Sequence, residues 1–374
     1  MITQRQIAER LDLSLATVAN ILSERPGLRY APATRERVLK TAADMGYQPN
    51  RAAQTVRRQR SNLIGIVHFG AGIEAAHKAN LTLAADVSAR GYDYLAVDMN
   101  WHGGSVRRVI DELIQARVEG VIISHIQEVF QKEHVDMLTR VGIPVVVVNG
   151  EPRSGASIIC DDVEAAFLAL TQHLLKVGHR RILHLWPTAK DLEQNRALGE
   201  RLKGFRAAFA GQGQWRGMTE AEFFAAWPQQ SPATAAPLGI TVMQDMELYS
   251  ALDKPVYKFC KRLFAHGTLP DAIVCTNDAS AFELIAAGLE VGIRVPDNIA
   301  VTGYDNDRIG EFPAFGLTTA EQDIGGICAA ATSEIFQRIT HPKKNPHHKT
   351  FQSRIILRTS CGKDLPARPA PERR

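Results

Sequence analysis

From residue 62 onward, short β-rich runs alternate with stretches of helical periodicity, and no other feature of the 374-residue chain limits its fold as much. The runs LIGIVHF, YDYLAVD, GVIIS, PVVVVN, SIIC, RILHLW, DAIVCT and IAVTGY read as strands. Such an order implies mostly parallel sheet with helices on both faces, because parallel neighbours need a crossover between them. Roughly 300 residues is enough for two lobes of this kind.

Residues 3–60 follow a different pattern. Thr3 and Gln6 form a capping-box pair, and Ile7, Ala8 and Leu11 recur at helical spacing until a tight turn at Asp12. Ser14 can cap a second helix, on which Val18, Ile21 and Leu22 share one face. Leu15, Ala16, Thr17 and Asn20 are then left pointing away from the small core, free to meet base edges. The spacing is that of a helix-turn-helix, whose second helix enters the major groove. Thr34 is expected to cap a third helix bearing Val38, Leu39, Ala42 and Met45, with Gly46 ending it. NRAAQTVRRQR follows, with Arg51, Arg57, Arg58 and Arg60 around Ala52, Ala53 and Val56. A helix so short is marginal alone in water, so it is expected to fold on DNA, with Val56 as an apolar wedge.

Charge supports this division. Residues 1–60 hold eleven Arg or Lys against five Asp or Glu, a net of +6, whereas the whole chain is +4 and the remainder therefore −2. A positive excess confined to the reader segment is the footprint of a phosphate-binding module. With 45% hydrophobic residues the chain has material for one small and one larger globular domain. The start MITQRQ lacks an apolar leader and no apolar run is long enough to cross a bilayer, so a cytoplasmic protein is expected. Cys160, Cys260, Cys275, Cys328 and Cys361 form neither a CxxC nor a ligand cluster; reduced thiols and no metal are expected, with Cys160 and Cys275 buried in strands. AAWPQQSPATAAP, within residues 215–237, reads as a surface insertion that Trp215, Phe223, Phe224 and Trp227 could let pack as a lid.

One motif favours an enzyme. Gly70, Gly72 and Ala75 match GxGxxA after the first strand, and Asp98 stands where a ribose-binding acid would, as in an NAD-dependent Rossmann oxidoreductase. No catalytic constellation accompanies it, so neither catalysis nor a cofactor is expected.

The stretches IAERLDLSLATVANIL, TRERVLKTAADMGYQPN and NRAAQ resemble the DNA-binding domain and hinge of the lactose-repressor (LacI/GalR-type) family of transcription regulators. GHRRI, RLKGF, TNDASAFELIAAGLEVGIRVPDNIAVTGYDN, LTTAEQD and RIILRTSCG extend the resemblance over almost the whole chain. It departs from the family at Ala19 and Asn20, where Ser-Arg is usual, at Val56, where Leu is usual, and at residues 68–78, which replace an Asn-Pro-Phe-Phe stretch. The resemblance implies a small all-α helix-turn-helix domain (1–48), a hinge (49–61), an α/β periplasmic-binding-protein-like domain of two parallel-sheet lobes (62–362) and a disordered tail (363–374). Three lobe crossings are implied, near Cys160, Gln322 and Thr340.

The same resemblance implies a homodimer that represses transcription by binding pseudo-palindromic double-stranded operator DNA under control of a small-molecule effector, a sugar or derivative. A sugar-binding protein without a regulatory role is the non-enzyme alternative. To Thr3, Ser14 and the four outward residues it adds Tyr47, Asn50, Arg51, Ala53, Val56 and Arg57 as DNA contacts. For the effector it implies Phe69, Asp161, Arg196, Arg201, Asn277, Asp305 and Gln322, with Trp101 or Trp186 as further stacking faces. These positions lie at strand ends or lobe boundaries, where parallel sheets bind ligands. Asn277 and Asp278 could equally cap a helix, and Arg201 could pair with a surface acid.

Overall fold

The computed structural model describes residues 2–23, 28–48, 60–68, 74–99, 105–124, 130–150, 155–186, 196–227, 236–243 and 255–362. Contacts divide the chain into two units, Met1–Ser61 and Asn62–Arg374.

In the first unit, α1 (Gln4–Leu11) opens with the expected capping box: Gln6 N–H donates to Thr3 Oγ1, and Thr3 N–H donates to Gln6 Oε1 at 2.9 Å. Asp12, at φ 54, ends α1 in the left-handed region, which Asp tolerates better than most residues. Ser14 Oγ accepts from Thr17 N–H at 3.1 Å and starts α2 (Leu15–Leu22). α3 (Pro32–Asp44) closes a core of Ile7, Ala8, Val18, Ile21, Val38 and Ala42. Two expectations fail here. Ala31, not Thr34, precedes α3, because Pro32 has no N–H to cap and suits the first helical position. Leu39 lies 37% exposed, one position off the buried Val38 face.

The second unit holds two parallel sheets. The first sheet has the order β12-β5-β4-β3-β1-β2. Its strands are β1 (Leu63–His68), β2 (Asp93–Asp98), β3 (Gly120–Ser124), β4 (Val145–Val148), β5 (Ala156–Asp161) and β12 (His348–Phe351). One face packs on α5 (Val106–Gln115) and α6 (Lys132–Arg140), the other on α4 (Glu74–Ala89) and α12 (Ile324–Thr340). With both faces covered, β3, β4 and β5 are buried at every residue, as their mostly apolar runs require.

The second sheet has the order β10-β9-β6-β8-β7. Its strands are β6 (Arg181–Trp186), β7 (Gln214–Thr219), β8 (Leu238–Met243), β9 (Ala272–Val274) and β10 (Ala300–Thr302). α7 (Val163–Val177) and α8 (Arg196–Ala207) cover one face; α9 (Glu220–Ala226), α10 (Pro255–Ala265) and α11 (Asp278–Glu290) cover the other. α7 and α8 meet at Gly204, where a Cβ would lie 2.2 Å from the Glu164 carbonyl oxygen.

The chain crosses between lobes after β5, after β11 (Thr319–Glu321) and at Gln352-Ser353, before β13 (Arg354–Ile356) pairs antiparallel with β11. The third crossing is thus not near Thr340. α12 runs along the first sheet, and β12 then adds beside β5, which holds the chain in the first lobe for eleven more residues. Before the expected insertion β7 extends the second sheet, and at its start Trp227 is framework: it is 1% exposed with its indole N–H on the Thr268 carbonyl at 2.8 Å. Residues 228–235 lie outside the described residues. All five cysteines are buried and outside any disulfide, Cys160 in β5 and Cys275 just after β9.

Candidate functional site

In the first unit α2 leaves one face open. With Val18 and Ile21 in the core, Leu15 is 45% exposed, Ala16 is exposed, and Thr17 and Asn20 are half-buried. Thr17 Oγ1 shares a 2.8 Å hydrogen bond with Ser14 Oγ, which fixes both hydroxyls at the helix start. Tyr47 OH accepts from Gln4 Nε2 at 2.9 Å, tying the end of the third helix to the first. The expected contacts Asn50, Arg51, Ala53, Val56 and Arg57 lie outside the described residues.

In the second unit the three crossings converge on one polar cluster. Asp161 ends β5 and is 2% exposed; its Oδ2 accepts from Tyr304 OH and from Ser353 Oγ on the third crossing. Asp161 Oδ1 is buried with no hydrogen-bond partner among the described residues. A second chain of bonds runs across the cluster. Asn149, at the end of β4, accepts the Asp161 backbone N–H at 2.9 Å and donates to Gln322 Oε1 at 2.8 Å. Gln322, on the second crossing, donates to Asp305 Oδ1 at 2.7 Å. Asp305 follows β10 with φ 115 and Asn306 with φ 56, so two consecutive residues stand in the left-handed region. A conformation that L-residues seldom adopt persists only where its surroundings fix it, as at binding sites. Here the Asp305 N–H bond to the Ala320 carbonyl (2.8 Å) and the Asn306 side chain, held by Glu321 and Arg358, supply that hold.

Arg201 enters the cluster from α8. Its Nε–H donates to the Thr276 carbonyl at 3.1 Å, and its guanidinium lies 4.9 Å from the Tyr304 ring centroid and 5.6 Å from that of Phe167. Cation–π contact with two rings and the Nε bond hold the guanidinium in place, and its Nη groups are of the kind that carboxylate or hydroxyl partners take. Burial raises the pKa of Asp161 and raises Asp305 well above the usual carboxylate range, with Arg201 opposing both shifts. Burial also holds the Tyr304 hydroxyl neutral and pushes His184, beneath Phe167 and Phe205, down to about 4. Behind this layer Asp278 accepts from Thr319 Oγ1 at 2.6 Å and from Asp307 N–H at 2.8 Å.

The structure therefore brings together Asp161, Arg201, Asp305 and Gln322 of the expected effector residues. Among the described residues Arg201 pairs with no surface acid. Asn277 caps α11, its Oδ1 accepting from Ser280 N–H at 2.9 Å, next to the Thr276 carbonyl that Arg201 grips. Phe69 and Trp101, and the side chains of Trp186 and Arg196, lie outside the described residues. Sequence reasoning missed Asn149, Tyr304 and Ser353. The strand-end rule that selects Asp161 points equally to Asn149, the last residue of PVVVVN; Ser353 carries no such signal, because it lies on a crossing that the sequence does not reveal. Among the described residues no helix is long and apolar enough to cross a membrane.

Residues 171–361, more than half of the chain, match the family described as periplasmic binding protein-like domain. Residues 78–222 match that of periplasmic binding proteins and the sugar binding domain of the LacI family. The HTH-type transcriptional repressor PurR of Pasteurella multocida is 24% identical over 367 residues, covering 96% of this chain and 98% of that protein. PurR of Escherichia fergusonii is 26% identical over 367 residues, covering 96% and 97%. The Lac repressor dimer bound to operator and the anti-inducer ONPF has a TM-score of 0.74 at 19% identity, over 97% of this chain and 99% of that one. The transcriptional regulator CelR in complex with cellobiose gives 0.61 at 20% identity, over 96% and 100%. The relatives are repressors and regulators, and the protein is not an enzyme; the dinucleotide reading of the GxGxxA segment is set aside. Capped helix pair, two parallel-sheet lobes and the matches along their length agree: the chain belongs to the LacI/GalR-type family of transcription regulators.

Proposed function

We propose that the protein is a sequence-specific DNA-binding repressor whose operator affinity is set by a small effector held between its lobes. The observation that carries the reading is a convergence: all three lobe crossings meet at buried Asp161 and Gln322 and half-buried Ser353, bonded to Tyr304 and Asp305, with Arg201 against the Tyr304 ring, in a chain that also carries a capped helix-turn-helix. A ligand engaging this cluster binds one lobe arrangement better than another and so shifts the population able to bind DNA.

The favoured effector is a sugar or sugar derivative. Asp161 Oδ1 and the Asp305 carboxyl accept from hydroxyls, and the Arg201 Nη groups donate to ring or carbonyl oxygens. Arg196, Asn277 and Phe69 complete the contact set. The Lac repressor complex with ONPF and the CelR complex with cellobiose support this class. On the DNA side Leu15, Ala16, Thr17 and Asn20 read the major groove, with Thr3, Ser14 and Tyr47 at the backbone. Residues 49–61 form a hinge that folds on DNA, Asn50, Arg51, Ala53 and Arg57 lying along it and Val56 acting as the wedge. The protein works as a cytoplasmic homodimer, so that two readers meet the two halves of a pseudo-palindrome, as in the Lac repressor dimer on its operator. The bounds 1–48, 49–61 and 62–362 describe reader, hinge and sensor, with a tail beyond 362.

The test is selection of bound duplexes from a random library by purified protein, followed by a salt titration. A palindromic site should be enriched, with affinity falling steeply as salt rises. Binding that shows no preference over random duplex would overturn the repressor reading.

A further inference from the structure

The sensor's first residue is held in an uncommon way. Asn62 has φ 51, in the left-handed region, at the point where the chain passes from the reader unit into β1. Its backbone N–H donates to Glu119 Oε1 at 2.8 Å, and Tyr92 OH donates to Glu119 Oε2 at 3.2 Å. Backbone bonds close the arrangement from either side: Asp93 N–H on the Asn62 carbonyl at 2.9 Å and Glu119 N–H on the Leu63 carbonyl at 2.8 Å. A single carboxylate thus bridges the sensor's first residue and the loop before β2, using a charge-assisted bond to hold a backbone conformation that is unfavourable by itself.

This clamp lies at the far end of α12 from the effector cluster. α12 begins at its cap Asp323, next to Gln322, and runs for 17 residues, about 25 Å at the usual helical rise. Near its other end Phe336 meets the Tyr92 ring edge to face at 4.6 Å. Ile335 lies so close over Gly120, the residue after Glu119, that a Cβ there would fall 2.7 Å from Ile335 Cγ1. Both supports of the Glu119 carboxylate, Tyr92 and the Glu119-Gly120 backbone, therefore rest on α12.

We infer that Glu119, supported by Tyr92, is a positioning residue: by fixing Asn62 it sets the direction in which the reader's tether leaves the sensor, and so controls operator affinity without touching DNA or effector. This rests on the repressor reading above. Because packed interfaces switch between discrete arrangements more readily than they deform, displacement of α12 on the first sheet changes the tether direction through this clamp.

The experiment uses the full chain, the palindromic duplex enriched by selection, and a non-specific duplex of equal length. Glu119→Ala should weaken binding to the selected duplex by roughly tenfold, the scale of one charge-assisted hydrogen bond, and leave non-specific affinity unchanged, since that depends on phosphate contacts alone. Glu119→Gln keeps an acceptor oxygen and should restore most of the affinity. Tyr92→Phe removes only the supporting hydroxyl and should give a smaller loss in the same direction; it also serves as the test if Glu119→Ala fails to fold. Equal affinity of Glu119→Ala and parent for the selected duplex would overturn the inference, as would parallel loss on both duplexes. Failure of selection to enrich any site would instead refute the repressor reading.

Discussion

The bond from Tyr304 to Asp161 joins the second lobe to the first crossing, and its removal tests whether the cluster is the tie between them. Tyr304 is 1% exposed and its hydroxyl donates to a buried carboxylate. Tyr304→Phe deletes the donor with little change of volume. A hydrogen bond to a charged group contributes about 1.5–3 kcal/mol, and Asp161 keeps Ser353 as a donor, which places the expected loss near the lower end, about 1.5–2 kcal/mol. Asp161→Ala leaves the Tyr304 hydroxyl buried without an acceptor, which costs about 1–3 kcal/mol, offset in part by removal of a carboxylate whose charge burial already disfavours. In the double variant the stranded hydroxyl is gone, so the second change should cost much less than it does alone. The coupling should be about 1.5 kcal/mol or more, well above the scatter of independent sites. Calorimetric melting at neutral pH is the assay; at a few degrees per kcal/mol, Tyr304→Phe should lower Tm by roughly 3–6 °C. Losses that simply add in the double variant, or a Tyr304→Phe protein as stable as the parent, would refute the claim that this bond ties the lobes.

Burial pushes Asp278 up to about 6, and burial with repulsion from Asp278 pushes Asp307 to about 7. The folded protein then holds more protons than the unfolded chain from about pH 4 up to these values, so their contribution to stability is present in acid and lost as pH rises through them. Asp307→Asn should flatten the dependence of Tm on pH across that window and exceed the parent at mildly alkaline pH; a profile parallel to the parent's would count against it. Gly204→Ala drives a Cβ against the Glu164 carbonyl and the Leu168 N–H of α7, at 2.2 and 2.9 Å, and should cost at least the 1–3 kcal/mol typical of overpacking, about a tier above an exposed helix substitution. Full stability of that variant by thermal melting would mean the two helices have slack. Arg201→Ala should abolish the rise in Tm given by whichever sugar stabilises the parent in a panel that includes cellobiose, while affinity for the selected duplex without sugar stays near the parent's. An undiminished rise would remove Arg201 from the ligand contacts.

Local chemistry made much of this protein legible in the sequence. Thr3 with Gln6, Ser14, and the spacing of Ile7, Val18 and Ile21 act within a few residues, and each stands where the pattern placed it. Parallel strands buried on both faces announce themselves as apolar runs, and ligands meet such sheets at strand ends; Asp161, Arg201, Asp305 and Gln322 themselves were implied by the family resemblance, and Arg201 lies within α8 rather than at a strand end. Pairings over long sequence separations are not. Short-range pattern does not reveal that β12 returns to β5 and delays the third crossing to Ser353, nor that Trp227 of a low-complexity stretch fills a core. The bond between Asn62 and Glu119 spans 57 residues, and that between Asn149 and Gln322 spans 173; neither has a periodicity to betray it. The sequence alone determined the first two helices and eight of the strands, with the ends where chemistry gathers, because propensity, capping and burial are local; β7, β8 and β11 to β13 were not among the runs it showed. Which distant side chains share a carboxylate, and hence how a cleft can act on a tether at the other end of α12, was decided only by tertiary packing, because backbone direction and close contact fix those partners.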